Sequence, residues 1–130
     1  MIVCIDGNDG TGKTSLIALL RQHRPGITFQ DRGRPTAMTD GGDAAPADLY
    51  LILTASVATC RKRLAAAGKS LDERYHTEAD LRHYEQRFAV VARLLGAVLL
   101  DAEPPLEQVA AAALLILDTA AEQQGLGVGG

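Results

Sequence analysis

Apolar positions along the chain follow two alternating rhythms. Residues 2–6 (IVCID) form a nearly continuous apolar run with β-branched Ile2, Val3 and Ile5, which predicts a buried strand. From 14 to 23, Leu16, Leu19 and Leu20 recur at helical spacing until Pro25-Gly26 stops the pattern. ITFQD (27–31) predicts a second strand, and LYLILT (49–54) a third that is apolar on both faces, as a central parallel strand should be. Between them, residues 33–48 are rich in Gly, Pro and Asp and read as mostly loop.

The helical rhythm resumes after the third strand. Ser56 is placed to cap a helix that runs to about 67 and is ended by Gly68. Thr77 with Asp80 three residues later matches a capping box and starts a longer helix to about 95, closed by Gly96. AVLLD (97–101) is the fourth predicted strand, and Pro104-Pro105 precede a last helix from about 106 to 123. Strands alternating with helices imply an α/β domain: about four parallel strands covered on both faces. The expected order places 27–31 and 49–54 on either side of 2–6, with 97–101 beyond 49–54.

Composition narrows the picture without changing it. The 130 residues fit one domain, 47% hydrophobic and 22% charged, as an ordinary globular chain is. A net charge of −3 supplies no overall basic field for nucleic acid or an anionic membrane. The apolar stretches fall well short of the ~20 residues a membrane span needs, and MIVCID lacks the basic lead of a secretory signal. Cys4 and Cys60 sit in apolar patterns and read as buried free thiols, so a cytoplasmic protein is expected. His23, His76 and His83 have no metal-ligand spacing with one another or with the cysteines, which argues against zinc. The expected organisation is a single domain over 1–124 with a lid at about 68–77, then a glycine-rich flexible tail, 125–130.

The chemistry concentrates at the end of the first strand. Gly7-Asn8-Asp9-Gly10-Thr11-Gly12-Lys13-Thr14 fits the phosphate-loop pattern G-x-x-x-x-G-K-S/T, and it follows a predicted strand and opens a predicted helix. Glycines there let successive N–H groups turn inward around phosphates, and the positive end of the helix points at the same spot. Lys13 is expected to reach the β/γ-phosphates and Thr14 to hold Mg²⁺. The expected nucleotide-binding set is Gly7, Asn8, Gly10, Thr11, Gly12, Lys13, Thr14 and Ser15. Asp31 lies at a strand's C-terminal end, where parallel sheets place their ligand crevices, and can hold Mg²⁺ or orient an acceptor. Arg63 has the planar guanidinium suited to stacking on adenine.

In their order along the chain, IDGNDGTGKTSL, FQDRG, GKSLDERYHTE and VLLDAEPPLEQV resemble the P-loop nucleoside monophosphate kinases, thymidylate kinases in particular. The resemblance implies a three-layer P-loop NTPase-type sandwich and ATP- and Mg²⁺-dependent phosphoryl transfer to a nucleotide acceptor. It implies that Arg32 contacts the acceptor's phosphate and that Asp9 accepts a hydrogen bond from its sugar hydroxyl. It further implies that lid arginines serve the transition state where the loop carries Gly10 instead of an arginine. That points to Arg74, which with Lys13, Asp31 and Arg32 makes the expected catalytic set; Arg61, Lys62 and Lys69 are weaker candidates. Arg61 and Lys62 read better as a solvated helix face. The chain departs from the family at His76, where relatives often carry Glu. The segments 13–31 and 32–48, which in relatives carry acceptor-gripping insertions, are short. The alternatives are a nucleotide-binding module without transfer, working as a homodimer or other oligomer, and a kinase of nucleic-acid ends using Arg24, Arg32 and Arg34; the acidic charge counts against the latter.

Overall fold

The computed structural model describes residues 1–125, so the tail expected at 125–130 lies outside the described residues except for Gly125. Nine elements follow one another: β1 (Ile2–Gly7), α1 (Lys13–His23), β2 (Thr28–Asp31), α2 (Arg34–Thr39), β3 (Leu49–Thr54), α3 (Val57–Ala66), α4 (Glu78–Leu95), β4 (Val98–Asp101) and α5 (Leu106–Gln123). The strands form one four-stranded sheet in the order β2-β1-β3-β4, every pairing parallel. This is the arrangement the hydrophobic pattern predicts.

The core lies on both faces of that sheet. On one, Leu16, Ile17 and Leu20 of α1 and Val109, Ala113 and Leu117 of α5 join the strand residues Val3, Ile5 and Leu51 in a single cluster. On the other, Phe88 and Ala92 of α4 pack on Ile52, and Cys60 and Leu64 of α3 pack on Leu81. The helix ends obey local chemistry. The Ser56 hydroxyl accepts from Thr59 N, the Thr77 hydroxyl accepts from Asp80 N, and Gly96 ends α4 in a left-handed conformation. The Asp80 carboxylate does not reach back to Thr77 as a capping box would. It accepts from Tyr75 N at 2.9 Å, where Tyr75, three residues before the helix, holds a φ of +73°.

One expectation needs correction. Residues 33–48 are not all loop, because α2 occupies Arg34–Thr39. Its cap comes from another element. Asp6, fully buried at the end of β1, accepts from Thr36 N at 2.9 Å and from the Thr36 hydroxyl at 2.7 Å, besides Gly7 N at 2.9 Å. Pro35 in the first turn has no N–H to satisfy, so this remote carboxylate completes the helix start. Burial pushes the Asp6 carboxyl above its ordinary value, and the bonds from Thr36 and Gly7 hold it back.

Both cysteines are free and buried. Burial raises the Cys4 thiol to about 12 and the Cys60 thiol to about 11, so neither is a nucleophile near neutrality. No helix among the described residues is long and apolar enough to cross a membrane.

Candidate functional site

The parallel register brings the C-terminal strand ends to one edge of the sheet, where Ile5 lies beside Asp31, Gly7 beside Leu53 and Thr54 beside Asp101. A cleft of about 920 Å³ opens there. Its floor is the 10–15 segment of the loop and α1; Asp31 and Arg32 from the end of β2 also line it. Arg63 of α3, then Lys69, Glu73 and His76 of the segment between α3 and α4, add to the lining, with the turn from Ala102 to Leu106. This segment, about 68–77, is the one expected to act as a lid, and it contains neither helix nor strand.

The three loop glycines do different work. Gly7, at a φ of +133°, lies so close to β3 that a Cβ would stand 2.6 Å from the Leu53 carbonyl oxygen. Gly10, at +86°, lies as close to α3, with a Cβ 2.5 Å from the Cys60 carbonyl oxygen. That contact gives a physical reason why this loop carries no arginine at position 10. Gly12, at +93°, has nothing within 4 Å of a Cβ and serves as the left-handed N-cap of α1.

Side chains lock the loop from behind. Asn8 Nδ2 donates to the Leu81 carbonyl of α4 at 2.9 Å, and the Thr11 hydroxyl donates to the Asn8 carbonyl at 2.7 Å. Lys13 is buried and curls back over the loop, donating from Nζ to the carbonyls of Gly7 at 2.7 Å and Asn8 at 2.9 Å. Burial lowers its pKa, while Asp9 and Asp6 work in the opposite direction. Thr14 and Ser15 line the cleft at the start of α1, whereas Gly7 and Asn8 support the loop from outside it.

On the opposite wall, Arg32 holds a φ of +64°, rare for a residue with a side chain. Its Nη2 is 2.7 Å from Asp9 Oδ1. The other Asp9 oxygen, Oδ2, lies 3.1 Å from Nε2 of the buried His76. Asp9 therefore joins three parts of the chain: the loop, the end of β2 and the lid. Arg63 donates to the carbonyls of Thr11 at 3.3 Å, Ala102 at 2.7 Å and Glu103 at 3.4 Å, tying the loop to the turn after β4.

Of the expected catalytic set, Arg74 is the one outside this constellation. Its guanidinium stacks on the Tyr75 ring at 4.7 Å, and the lid side chains lining the cleft are Lys69, Glu73 and His76. Arg61 is not the solvated residue expected: its Nη1 donates to the carbonyls of Leu71 at 3.3 Å and His76 at 3.0 Å, stapling the lid to α3. Arg24, Arg32 and Arg34 do not form a free basic patch, because each is ion-paired, to Asp118, Asp9 and Asp43. Sequence reasoning passed over Asp6, although a carboxylate ending an apolar strand is one that must find a partner when buried. A second cavity of about 360 Å³ lies between α4 and the ends of β3 and β4, with an apolar floor including Phe88 and Leu99 and an acidic rim including Glu85 and Asp101. No cationic side chain lines it.

No protein-family model matches the chain, and no curated protein does. Solved structures do. A deoxyadenosine kinase from M. mycoides with dCMP and dCDP bound aligns with a TM-score of 0.72 at 12% identity, over 92% of this chain and 99% of that one. The structure of that enzyme with dATP bound aligns with a TM-score of 0.69 at 12% identity, over 90% and 99%. At that identity the likeness speaks to architecture. The four-stranded parallel sheet flanked by helices is the α/β fold of the P-loop kinases.

Proposed function

We propose that the chain transfers the γ-phosphoryl group of ATP, with Mg²⁺, to a nucleoside monophosphate or related nucleotide, as thymidylate kinases do. The observation that carries this reading is a single cleft in which the phosphate loop, the Asp31-Arg32 strand end and the lid face one another. Phosphoryl transfer asks the protein mainly for positioning and for positive charge around the transferred group. The loop's N–H groups, the start of α1 and Lys13 supply the donor side of that requirement. Arg32, on the facing wall, is the cation for an acceptor phosphate, with Asp9 beside it for a sugar hydroxyl.

Thr14 and Asp31 both line the cleft and offer hard oxygen donors, which fit Mg²⁺. That ion takes one or two protein oxygens and completes its shell with phosphates and water. When bound it would neutralise charge on the β- and γ-phosphates. Arg63 bonds carbonyls through its N–H groups, which lie in the guanidinium plane, and this leaves stacking on a purine through its face compatible with those bonds. Arg74 must leave the Tyr75 ring to serve a γ-phosphate, so the proposal includes a swing of the lid.

The activity of the solved neighbours favours a second acceptor class, the free deoxynucleoside, for which Asp31 would be the base facing the attacking hydroxyl. Coupled ADP release over a panel of nucleosides and nucleoside monophosphates separates the two. One acceptor should raise turnover above background, and Lys13→Ala should cut kcat by about 10²–10³-fold. ADP release that is the same with every acceptor and unchanged by Lys13→Ala overturns phosphoryl transfer altogether.

A further inference from the structure

His76 has an unusual pair of neighbours. Its Nδ1 lies 3.0 Å from the Ser70 carbonyl oxygen and its Nε2 lies 3.1 Å from Asp9 Oδ2, with the side chain 10% exposed. A carbonyl and a carboxylate only accept hydrogen bonds, and a neutral imidazole carries a single N–H. With either neutral tautomer, one ring nitrogen would turn a lone pair toward an oxygen lone pair. Only the imidazolium satisfies both contacts.

Charged groups of both signs surround the ring. Arg32 lies 2.7 Å from the other Asp9 oxygen, and Lys13 lies near enough to interact with Asp9. Glu73 Oε2 lies 3.7 Å from His76 Nδ1 and adds a second carboxylate from the lid. Against these stand two cations. Arg61 of α3 donates to the backbone carbonyl of His76, away from the ring, and Lys69 lines the same cleft. From α4, Asp80 holds the neighbouring Tyr75 N–H.

We propose that His76 is an imidazolium latch, docking the lid on the phosphate loop through Asp9, and that loss of one ring proton undocks it. The proton lost is the one on Nε2, since Nδ1–H keeps its bond to Ser70 within the lid. The freed lone pair then faces the Asp9 carboxylate, and attraction becomes repulsion. His76 is thus a positioning residue: through Asp9 it also sets where Arg32 is held. The lid is docked while Nε2 holds its proton and released once rising pH removes it, a change to be read over roughly pH 5 to 8. The latch goes beyond phosphoryl transfer, because it belongs to the chain without nucleotide and is read without turnover.

Hydrogen–deuterium exchange of the full, nucleotide-free chain tests it, with rates corrected for intrinsic exchange at each pH. Peptides covering 69–77 should lose about ten-fold in protection from the acid to the alkaline end of that range. His76→Gln, which cannot titrate, should show no such slope. In Asp9→Asn the amide N–H can donate to the unprotonated Nε2, so the slope should vanish or reverse, with His76 itself intact. That second variant decides the matter if His76→Gln proves too unstable to measure. Control variants His23→Gln and His83→Gln should keep the wild-type slope. A flat wild-type profile, or a wild-type slope surviving in either His76→Gln or Asp9→Asn, overturns the latch.

Discussion

Around Gly7 and Gly10 the loop beneath the cleft is held backbone against backbone, whereas around Asp9, Arg32 and His76 the cleft wall is side chain against side chain. The first region leaves no room for adjustment: β3 and α3 press on the loop so closely that even a methyl group would collide. The second is a set of exchangeable polar contacts, Arg32 with Asp9 and His76 with Asp9, backed by Arg61 on the lid carbonyls. Backbone packing suits a surface that must present several N–H groups at once to one anion. Polar side-chain contacts suit a surface that must open to admit a second molecule and close over it.

The largest expected effect tests the rigid loop. Gly10→Ala puts a Cβ 2.5 Å from the Cys60 carbonyl oxygen and 2.9 Å from its Cα, at a φ of +86°. Overpacking and left-handed strain together should cost about 3 kcal/mol, read as a drop in the urea midpoint at unchanged m. Gly12→Ala has the same strain, at +93°, but no atom to collide with, and should cost about 1–2 kcal/mol. Its methyl group should still harm nucleotide binding by entering the cleft. Equal losses in the two variants would mean that the approach of α3 is not what holds the loop.

A smaller effect tests how the facing wall is attached. Asp6→Asn keeps shape but replaces an accepting oxygen with a donating NH₂, which meets Thr36 N–H or Gly7 N–H as donor against donor. Leaving a buried donor unpaired should cost about 2 kcal/mol, with exchange rising first in 34–39. If those amides stay as protected as in the parent, α2 is held by its packing on α4 and not by the Asp6 bonds.

Asp6 and His76 also show where reading the sequence stops. The rigid loop was legible because its information is local: glycines, lysine and threonine at fixed spacing between a strand and a helix. The strands, and their pairing in a parallel sheet, followed from apolar runs of strand length alternating with helical spacing. The helix α2 was missed because its start is completed by a carboxylate thirty positions earlier, so local composition reads only as Gly, Pro and Asp. His76 showed merely as a departure from a familiar pattern, since its partner Asp9 is 67 positions away. Arg61 looked like one charge on a helix face. Its partners are carbonyls, which carry no mark in the sequence at all.

Arg61 supplies the smallest and most selective test. It holds the lid by backbone carbonyls at Leu71 and His76, so its hold, unlike that of the His76–Asp9 pair, does not depend on a ring proton. Arg61→Ala should lower global stability by no more than about 1 kcal/mol, because the bonds lost join a surface segment to α3 and not one core element to another. Exchange and protease cleavage within 67–77 should nevertheless speed up several-fold at every pH. The proportional response of that segment to pH should survive, since His76 and Asp9 remain. Loss of the pH response in Arg61→Ala would mean that the arginine, by its charge or by orienting the His76 backbone, is itself part of the latch. Unchanged exchange would mean that the lid is held from the loop side alone. The variant thereby separates two ways of holding one segment, one permanent and one that a proton can release.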